Sequence, residues 1–398
     1  MPFIPTAFQR LLEPLGRRVV NRVVAAHKGN HGVGEGDNAW TCQRHLKALL
    51  FAQLCGLNSL REIEQALAAR PEALYHLGLR APGKSTLSDA NAARPAAVFR
   101  DLACHLMTDV TRRLRRQGKD LVELIDASPI PLRDARFTWA QADNRVRGLK
   151  LYVHYDPETG HPTCFDLTSP KVSDTTLARA ITITPGATYV FDKGFADYSW
   201  WFSLHEAGAI FVTRLKKNAC RREVTVSTEG TEAHILADNI LKVGHKKPRG
   251  GADNPLYDTR LREVMVGRDG KKPLHLITND MERSAEDIAR LYKQRWQIEL
   301  FFKWIKQNLK VKSYLGRSEN AVRIQLYTAL IAFLLLRLLK ESPARTHKGS
   351  LKDLMARLKV ALLHPLDLTG RQKPPPKPPR LRPQRPQMEL QLAWTPTA

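Results

Sequence analysis

Four residues between positions 292 and 306 have the types and spacing to do chemistry on a phosphate ester: Tyr292, Arg295, Glu299 and Lys306. The segment from Tyr292 to Lys310 holds no proline or glycine, and its apolar residues recur every three or four positions, which predicts one helix. At about 100° per residue the four project at roughly 0°, 300°, 340° and 320°, a wedge about 60° wide. Leu291, Ile298, Phe302, Ile305 and Leu309 form the adjoining apolar stripe. One carboxylate thus sits among two cations and a phenol, as a metal-binding Glu flanked by phosphate-gripping groups would. The plainer reading is an amphipathic helix in which Arg295 pairs with Glu299 at four-residue spacing.

Two more acids sharpen the choice. LVELID (121–126) and ATYVFD (187–192) are short apolar runs that each end in an aspartate, Asp126 and Asp192. Acids at the ends of adjacent strands converge on one edge of a sheet, and a packed helix can add a third. Three carboxylates hold Mg²⁺, or Mn²⁺, while leaving positions for water and phosphate oxygens. Such a site activates a water or hydroxyl and stabilises the leaving oxygen of a phosphodiester. Either aspartate alone reads more simply as a loop residue or a helix cap.

The elements that must position these residues fall into two regimes. Residues 1–115 read as helical, with two candidate helix–turn–helix units. In the first, a helix ends at Cys55-Gly56 and another starts at Ser59, which has capping-box spacing to Glu62. In the second, Ser85 is expected to cap a helix that closes before Pro95. From about 120 the pattern turns to strands: 121–126, broken by SPIPL, then 136–142, 149–155, 162–167, 187–192 and 209–216, with helices at 174–183 and 197–207. Residues 217–285 are β-rich, and Asp269-Gly270 marks a hairpin. Helices are expected over 287–310, 319–340 and 350–363. A proline-rich basic tail, 371–398, reads as extended and disordered. The pattern divides the chain into 1–115 (helical), 116–216 (strands with two helices), 217–285 (β-rich), 286–345 (helical), 346–370 (C-terminal helix) and 371–398 (tail).

Composition narrows the partners. With 63 Lys+Arg against 39 Asp+Glu the formal net charge is +24, and the pI is near 10.1. That balance attracts polyanions in a salt-dependent way. The 43% apolar content is that of a globular chain. The five cysteines are far apart, which excludes a recognisable zinc module or disulfide framework and fits a reducing cytoplasm. His27 and His31 have helical spacing but no further ligand cluster. No secretion signal is evident at the N-terminus. The most apolar run, Leu326–Leu336, is short for a bilayer and bracketed by Arg323 and Arg337, so it reads as a buried helix.

Taken together, Tyr292, Arg295, Glu299 and Lys306 reproduce the Tyr-x2-Arg-x3-Glu-x6-Lys signature, with LIDASPIPL and VFDKGFADYSWW supplying the two aspartates. On these residues the chain resembles the DDE transposases of bacterial insertion sequences, in the signature group called insertion sequence family four. FVTRLKKNA (211–219) and the N-terminal FAQLCGLNSLREIEQAL and STLSDANAARP are similar to family segments, so the resemblance runs over about residues 3–340. It implies an α/β fold: a ribonuclease H-like mixed sheet flanked by helices, interrupted by a β-rich insertion and preceded by an all-helical domain. It implies too that 1–115 binds DNA and that 217–285 is an insertion between the first (116–216) and last (286–345) parts of one core. It implies Asp126, Asp192 and Glu299 as catalytic metal ligands for Mg²⁺, with Mn²⁺ as a substitute. Tyr292, Arg295 and Lys306 are then the DNA-binding residues, on the terminal phosphates and the non-transferred strand. The implied partners are double-stranded DNA, at inverted repeats and at a target, and a second copy in a homodimer. Localisation would be cytoplasmic, at the bacterial nucleoid, with no membrane contact. Related hairpin-forming enzymes stack a flipped base on a tryptophan of the insertion; none lies between 202 and 295, so that device is not expected. An inactive DNA-binding relic and a plain metal-dependent nuclease are the rival readings.

Overall fold

Among the described residues seven helices precede the first strand, and short-range chemistry sets several of their ends. The computed structural model describes residues 5–34, 36, 39–114, 121–140, 147–227, 234–248, 251–308, 314–341 and 349–364; the proline-rich tail lies outside them. The helices are α1 (Ala7–Leu12), α2 (Arg17–Ala26), α3 (Cys42–Cys55), α4 (Leu60–Ala68), α5 (Pro71–His76), α6 (Lys84–Ala93) and α7 (Ala96–Leu114). Gly56 takes a left-handed φ of 74° to end α3, and Ser59 Oγ accepts from the Glu62 amide to start α4, as the spacing predicts. Ser85 does not cap α6. The helix begins at Lys84 with Gly83 at its cap, so Ser85 already lies inside the first turn.

The strands are β1 (Val122–Pro131), β2 (Gly148–Asp156), β3 (His161–Thr168), β4 (Thr188–Phe191), β5 (Ile210–Arg214), β6 (Arg221–Ser227), β7 (Ile235–Val243), β8 (Leu261–Arg268) and β9 (Lys271–Thr278). They form one mixed sheet in the order β3-β2-β1-β4-β5-β9-β8-β7-β6. The β1–β4 and β4–β5 pairs are parallel, and the other neighbours are antiparallel. The first five strands give the ribonuclease H-like arrangement, and the β-rich segment extends the same sheet by pairing β9 with β5. Helices α8 (Asp174–Arg179) and α9 (Tyr198–Glu206) join the parallel strands; α10 (Ala285–Gln294), α11 (Trp296–Asn308), α12 (Glu319–Glu341) and α13 (Leu351–Ala361) follow the sheet.

One expected break and one expected strand, the described part of 136–142, did not fall where the residue types suggested. SPIPL does not interrupt β1, which pairs with β2 through Pro131↔Gly148. Its pairing with β4 stops at Ile125, so the later half of β1 is open on that side and can carry prolines, which lack an N–H to offer. Residues 136–140 are not strand. The Asp134 carboxylate accepts from the Arg136 amide, and Phe137 and Ala140 donate to the carbonyls three residues before them, which winds this stretch into turns.

Alternation along the strands divides two cores. Leu124, Val190 and Val212 face one side with α11 and α12, while Ile125, Phe191 and Phe211 face the other with Trp200 and Trp201 of α9. Trp201 stacks on Phe211 at 5.3 Å, and Trp200 lies 4.6 Å from Phe191, which anchors the ends of β4 and β5. Every residue from Leu326 to Leu336 is buried, as the apolar run predicts. Helix α12 is long and apolar enough to cross a membrane, yet 83% of its apolar window is buried inside the protein. It packs against α7, α3 and α13, so the first core is continuous from Phe8 to Leu362.

In that core His45 is fully buried on α3, with its Nε2 3.0 Å from Asn91 Oδ1 on α6. Burial pushes its pKa down to about 3. The unfolded chain binds a proton at His45 below about pH 6.5 and the folded chain does not, so this group removes stability as pH falls through that window. The stability difference between wild type and His45→Leu, followed by urea unfolding, is expected to shift by up to about 1.4 kcal/mol per pH unit between pH 6 and 4, to the disadvantage of the wild type.

Candidate active site

Strand register places the two aspartates. Ile125 pairs with Phe191 across parallel strands, so Asp126 and the residue after β4, Asp192, stand side by side. Each shares a face with the residue two before it, Leu124 or Val190, and so points toward the α11 and α12 side. Val190 pairs with Val212 in turn, which sets Arg214 beside Asp192. The Arg214 guanidinium meets Asp192 Oδ1 at 2.7 Å.

The third acid arrives on a bent helix. The residues from 292 to 308 form two helices, not one, with the break at Arg295. The backbone there stays right-handed (φ −52°, ψ −28°), but the Arg295 amide donates to the Tyr292 carbonyl and the Ile298 amide to the Arg295 carbonyl, three residues back each time. This tighter turn separates two packing tasks: α10 lies on β5, β8 and β9, while α11 lies on β1 and α12.

From the bend Arg295 reaches both acids. One guanidinium nitrogen is 2.6 Å from Glu299 Oε1 and another is 3.5 Å from Asp126 Oδ2, in a side chain only 15% exposed. The four-residue pair and the site reading are therefore both present in one side chain. Tyr292 donates its hydroxyl to Asp192 Oδ1 at 3.2 Å. Lys306 is farther along: its Nζ donates to Ser128 Oγ at 2.6 Å, two residues from Asp126 on the same face of β1. Of the predicted set, the structure thus brings Asp126, Arg295 and Glu299 into one group and Tyr292 to Asp192, with Lys306 alongside. Ser128 and Arg214 were not singled out by sequence. The signal for Arg214 was available in VFD and VTR, equal tripeptides closing neighbouring parallel strands.

Burial and charge pull the two aspartates apart. Burial raises the Asp126 carboxyl to about 6, with Glu299 and Asp192 adding to the rise while the Ala127 amide and Arg295 oppose it. Burial acts on Asp192 in the same sense, but the Lys193 amide, Arg214 and Arg295 outweigh it and hold the group below the usual carboxylate range. Burial pushes Tyr292 up to about 12, so its phenol stays a hydrogen-bond donor. Among the described residues no three acidic, His or Cys side chains are yet grouped to grip an ion. The donor chemistry nonetheless fits a hard divalent cation: three oxygen acids, no sulfur or imidazole, and a carboxyl at about 6 whose rise the Arg295 charge offsets only in part. His27, by contrast, pairs with Asp101 at 2.6 Å.

This geometry has relatives. Residues 117–335, more than half of the chain, match the family model described as a transposase DDE domain, and residues 5–80 match a domain of unknown function. The chain belongs to the DDE transposase family, a class of enzymes that cut and join DNA. A protein of Sinorhizobium fredii named as a transposase, y4zB, is 40% identical over 305 residues, 74% of this chain and 82% of the relative. A Geobacillus stearothermophilus protein named as a transposase for the insertion sequence element IS5377 is 28% identical over 272 residues, 67% and 70% of the two chains. One from Synechocystis, named for the element IS4SA, is 28% identical over 265 residues, 64% and 71%. The cryo-EM structure of a piggyBac transposase synaptic complex with hairpin DNA superposes at a TM-score of 0.49 and 10% identity, over 91% of this chain and 80% of that one.

The Asp192–Arg214 contact yields a direct test. Arg214→Ala is expected to raise the titration midpoint of the Asp192 carboxyl toward the ordinary range, and Arg214→Lys to raise it less. Carboxyl ¹³C NMR on aspartate-labelled protein reads this, and an unchanged midpoint would mean that the two groups are not coupled.

Proposed function

We propose that this protein is the transposase of an insertion sequence, which hydrolyses DNA at the terminal inverted repeats and joins the freed 3′-hydroxyl ends to target DNA. The observation that carries this reading is the side-by-side placement of Asp126 and Asp192, with Glu299 linked to Asp126 through Arg295. Asp126, Asp192 and Glu299 would hold Mg²⁺, or Mn²⁺ in its place. Bound there, the cation supplies Lewis acidity for an in-line displacement at phosphorus.

The chain's own residues supply position. Arg295 offers a planar fork suited to two phosphate oxygens, and Lys306 offers a point charge two strand residues from Asp126. Tyr292, protonated at neutral pH, can donate to a phosphate oxygen from the hydroxyl that now meets Asp192. Arg214 acts with the Lys193 amide and Arg295 to hold the Asp192 carboxyl low, and it is one more cation for the scissile region. A homodimer that bridges two element ends, acting at the nucleoid in the cytoplasm, completes the proposal.

Asp126→Asn, Asp192→Asn and Glu299→Gln are each expected to lower strand cleavage and joining by at least about 10³-fold, in keeping with loss of a metal ligand or preorganised charge. Binding to inverted-repeat DNA should stay within a few-fold, because each change alters one charge and little volume while affinity rests on Lys and Arg. Gel-shift and cleavage assays in Mg²⁺ separate the two readouts; substantial cleavage by Glu299→Gln would refute the assignment. Arg295→Ala should flatten the salt dependence of end binding by about one phosphate contact, and Arg295→Lys should restore that slope but only part of the cleavage rate. Parallel salt slopes for wild type and Arg295→Ala would leave Arg295 as the helical partner of Glu299 alone.

A further inference from the structure

Of two cavities lined by several cationic side chains, one contains residues that touch the acids. The first, about 930 Å³, lies over β5, β8, β9 and α10, and its lining includes Arg214, Tyr292 and Arg295 together with Arg268, Lys271 and Lys293. On the proposed reading, the strand that is cut lies against Arg214, Tyr292 and Arg295. The second cavity, about 500 Å³, sits at the far end of β1, lined by Pro131, Arg133, Asp134, Arg136, Tyr314 and Arg317, among others. It shares none of the residues that touch Asp126, Asp192 or Glu299.

We infer that this second cavity holds the phosphate backbone of the target duplex during strand joining. The inference rests on the proposed transposase reading and adds to it where the second DNA lies. Joining needs two DNA partners at one set of acids, and the two cavities share no lining residue. From Asp126 to Pro131 is five residues of β1, about 17 Å of extended chain, which matches about five base pairs of B-form rise. Lys306 on Ser128 marks a cation part of the way along that path.

The second cavity is also built to present charge. Asp134 pairs with Arg136, but the guanidinium groups of Arg133 and Arg317 have no hydrogen bond or ion pair among the described residues. Their frame is fixed. The Trp139 indole N–H donates to the Arg317 carbonyl at 2.7 Å, and buried Phe137 meets Tyr314 edge-on at 5.6 Å. The turn at 132–140 and the segment that begins α12 are therefore held together, with two spare guanidinium groups outermost. Guanidinium–phosphate contacts position a duplex without reading its bases, so this surface accepts targets of many sequences.

The test uses full-length protein in Mg²⁺ with two donors: ends that still carry flanking DNA, and ends already cut to a 3′-hydroxyl, each offered a labelled target duplex. The double change Arg133→Ala with Arg317→Ala should lower joining of pre-cut ends by about 10-fold or more at near-physiological salt, as loss of about two phosphate contacts requires. Added target should restore the rate, while binding and hydrolysis of flanked ends stay within about two-fold of wild type. Arg133→Lys with Arg317→Lys should keep most joining and shows that the exposed positions tolerate change. If hydrolysis of flanked ends falls as far as joining, the cavity holds the element end or its flank and the inference is overturned. Unchanged joining in the alanine variant overturns it as well. A wild-type protein that neither cuts nor joins overturns the transposase reading itself, an outcome visible before any variant is made.

Discussion

Two carboxylates on neighbouring parallel strands repel each other, and much of the site can be understood as an answer to that repulsion. The β1–β4 register leaves Asp126 and Asp192 no freedom to separate along the sheet. The chain supplies positive charge from two directions instead: from the next strand through Arg214, and from a bent helix through Arg295. The answer is unequal. Asp192 has a guanidinium at 2.7 Å, whereas Asp126 has one at 3.5 Å that is shared with Glu299. The unevenness leaves Asp126, the more buried of the pair, as the position where added positive charge would gain most.

The bend at Arg295 is what makes that sharing geometrically available. A straight helix over 292–308 would have to lie on β5, β8, β9 and β1 along one axis. Broken in two, it lays α10 over the added strands and α11 against β1 and α12. No proline or glycine marks the break, so it is set by packing on two surfaces and by the ion pairs of a single side chain. Beneath it, the aromatic layer of Phe191, Trp200, Trp201 and Phe211 backs the strand ends from the opposite face of the sheet.

Most of this was legible in the residues, because the informative patterns are local. The acid-terminated apolar run 187–192, the Gly56 and Ser59 helix boundaries and the Leu326–Leu336 run each depend on neighbours in sequence, and each stands in the structure as read; the run 121–126 is a strand too, but it continues past its acid to Pro131. Several of the features that escaped depend on partners far away, while the turns at 136–140 and the start of α6 were missed on local chemistry. Pro129 and Pro131 fit in β1 because β4 ends early beside it, which no tripeptide reveals. The turns at 136–140 arise because the Asp134 side chain competes for backbone donors that a strand would use. Arg214 matters through a register between strands that are joined by a helix. The periodicity that suggested one helix over 292–310 was real on both sides of Arg295, but a periodic stripe does not report a change of axis.

The continuity of the first core bears on how such a chain can change over generations. Separate family models cover residues 5–80 and 117–335, which suggests two pieces that could be exchanged between lineages. The packing says otherwise. Helices α3 and α7 lie against α12, and the backbone amides of Ala7 and Phe8 donate to carbonyls of His364 and Leu362, beyond the end of α13. A helical region borrowed from a relative would have to bring a matching α12 and α13 surface with it. The two pieces pack as one body, so a change on one side of their seam alters a surface that the other side must match.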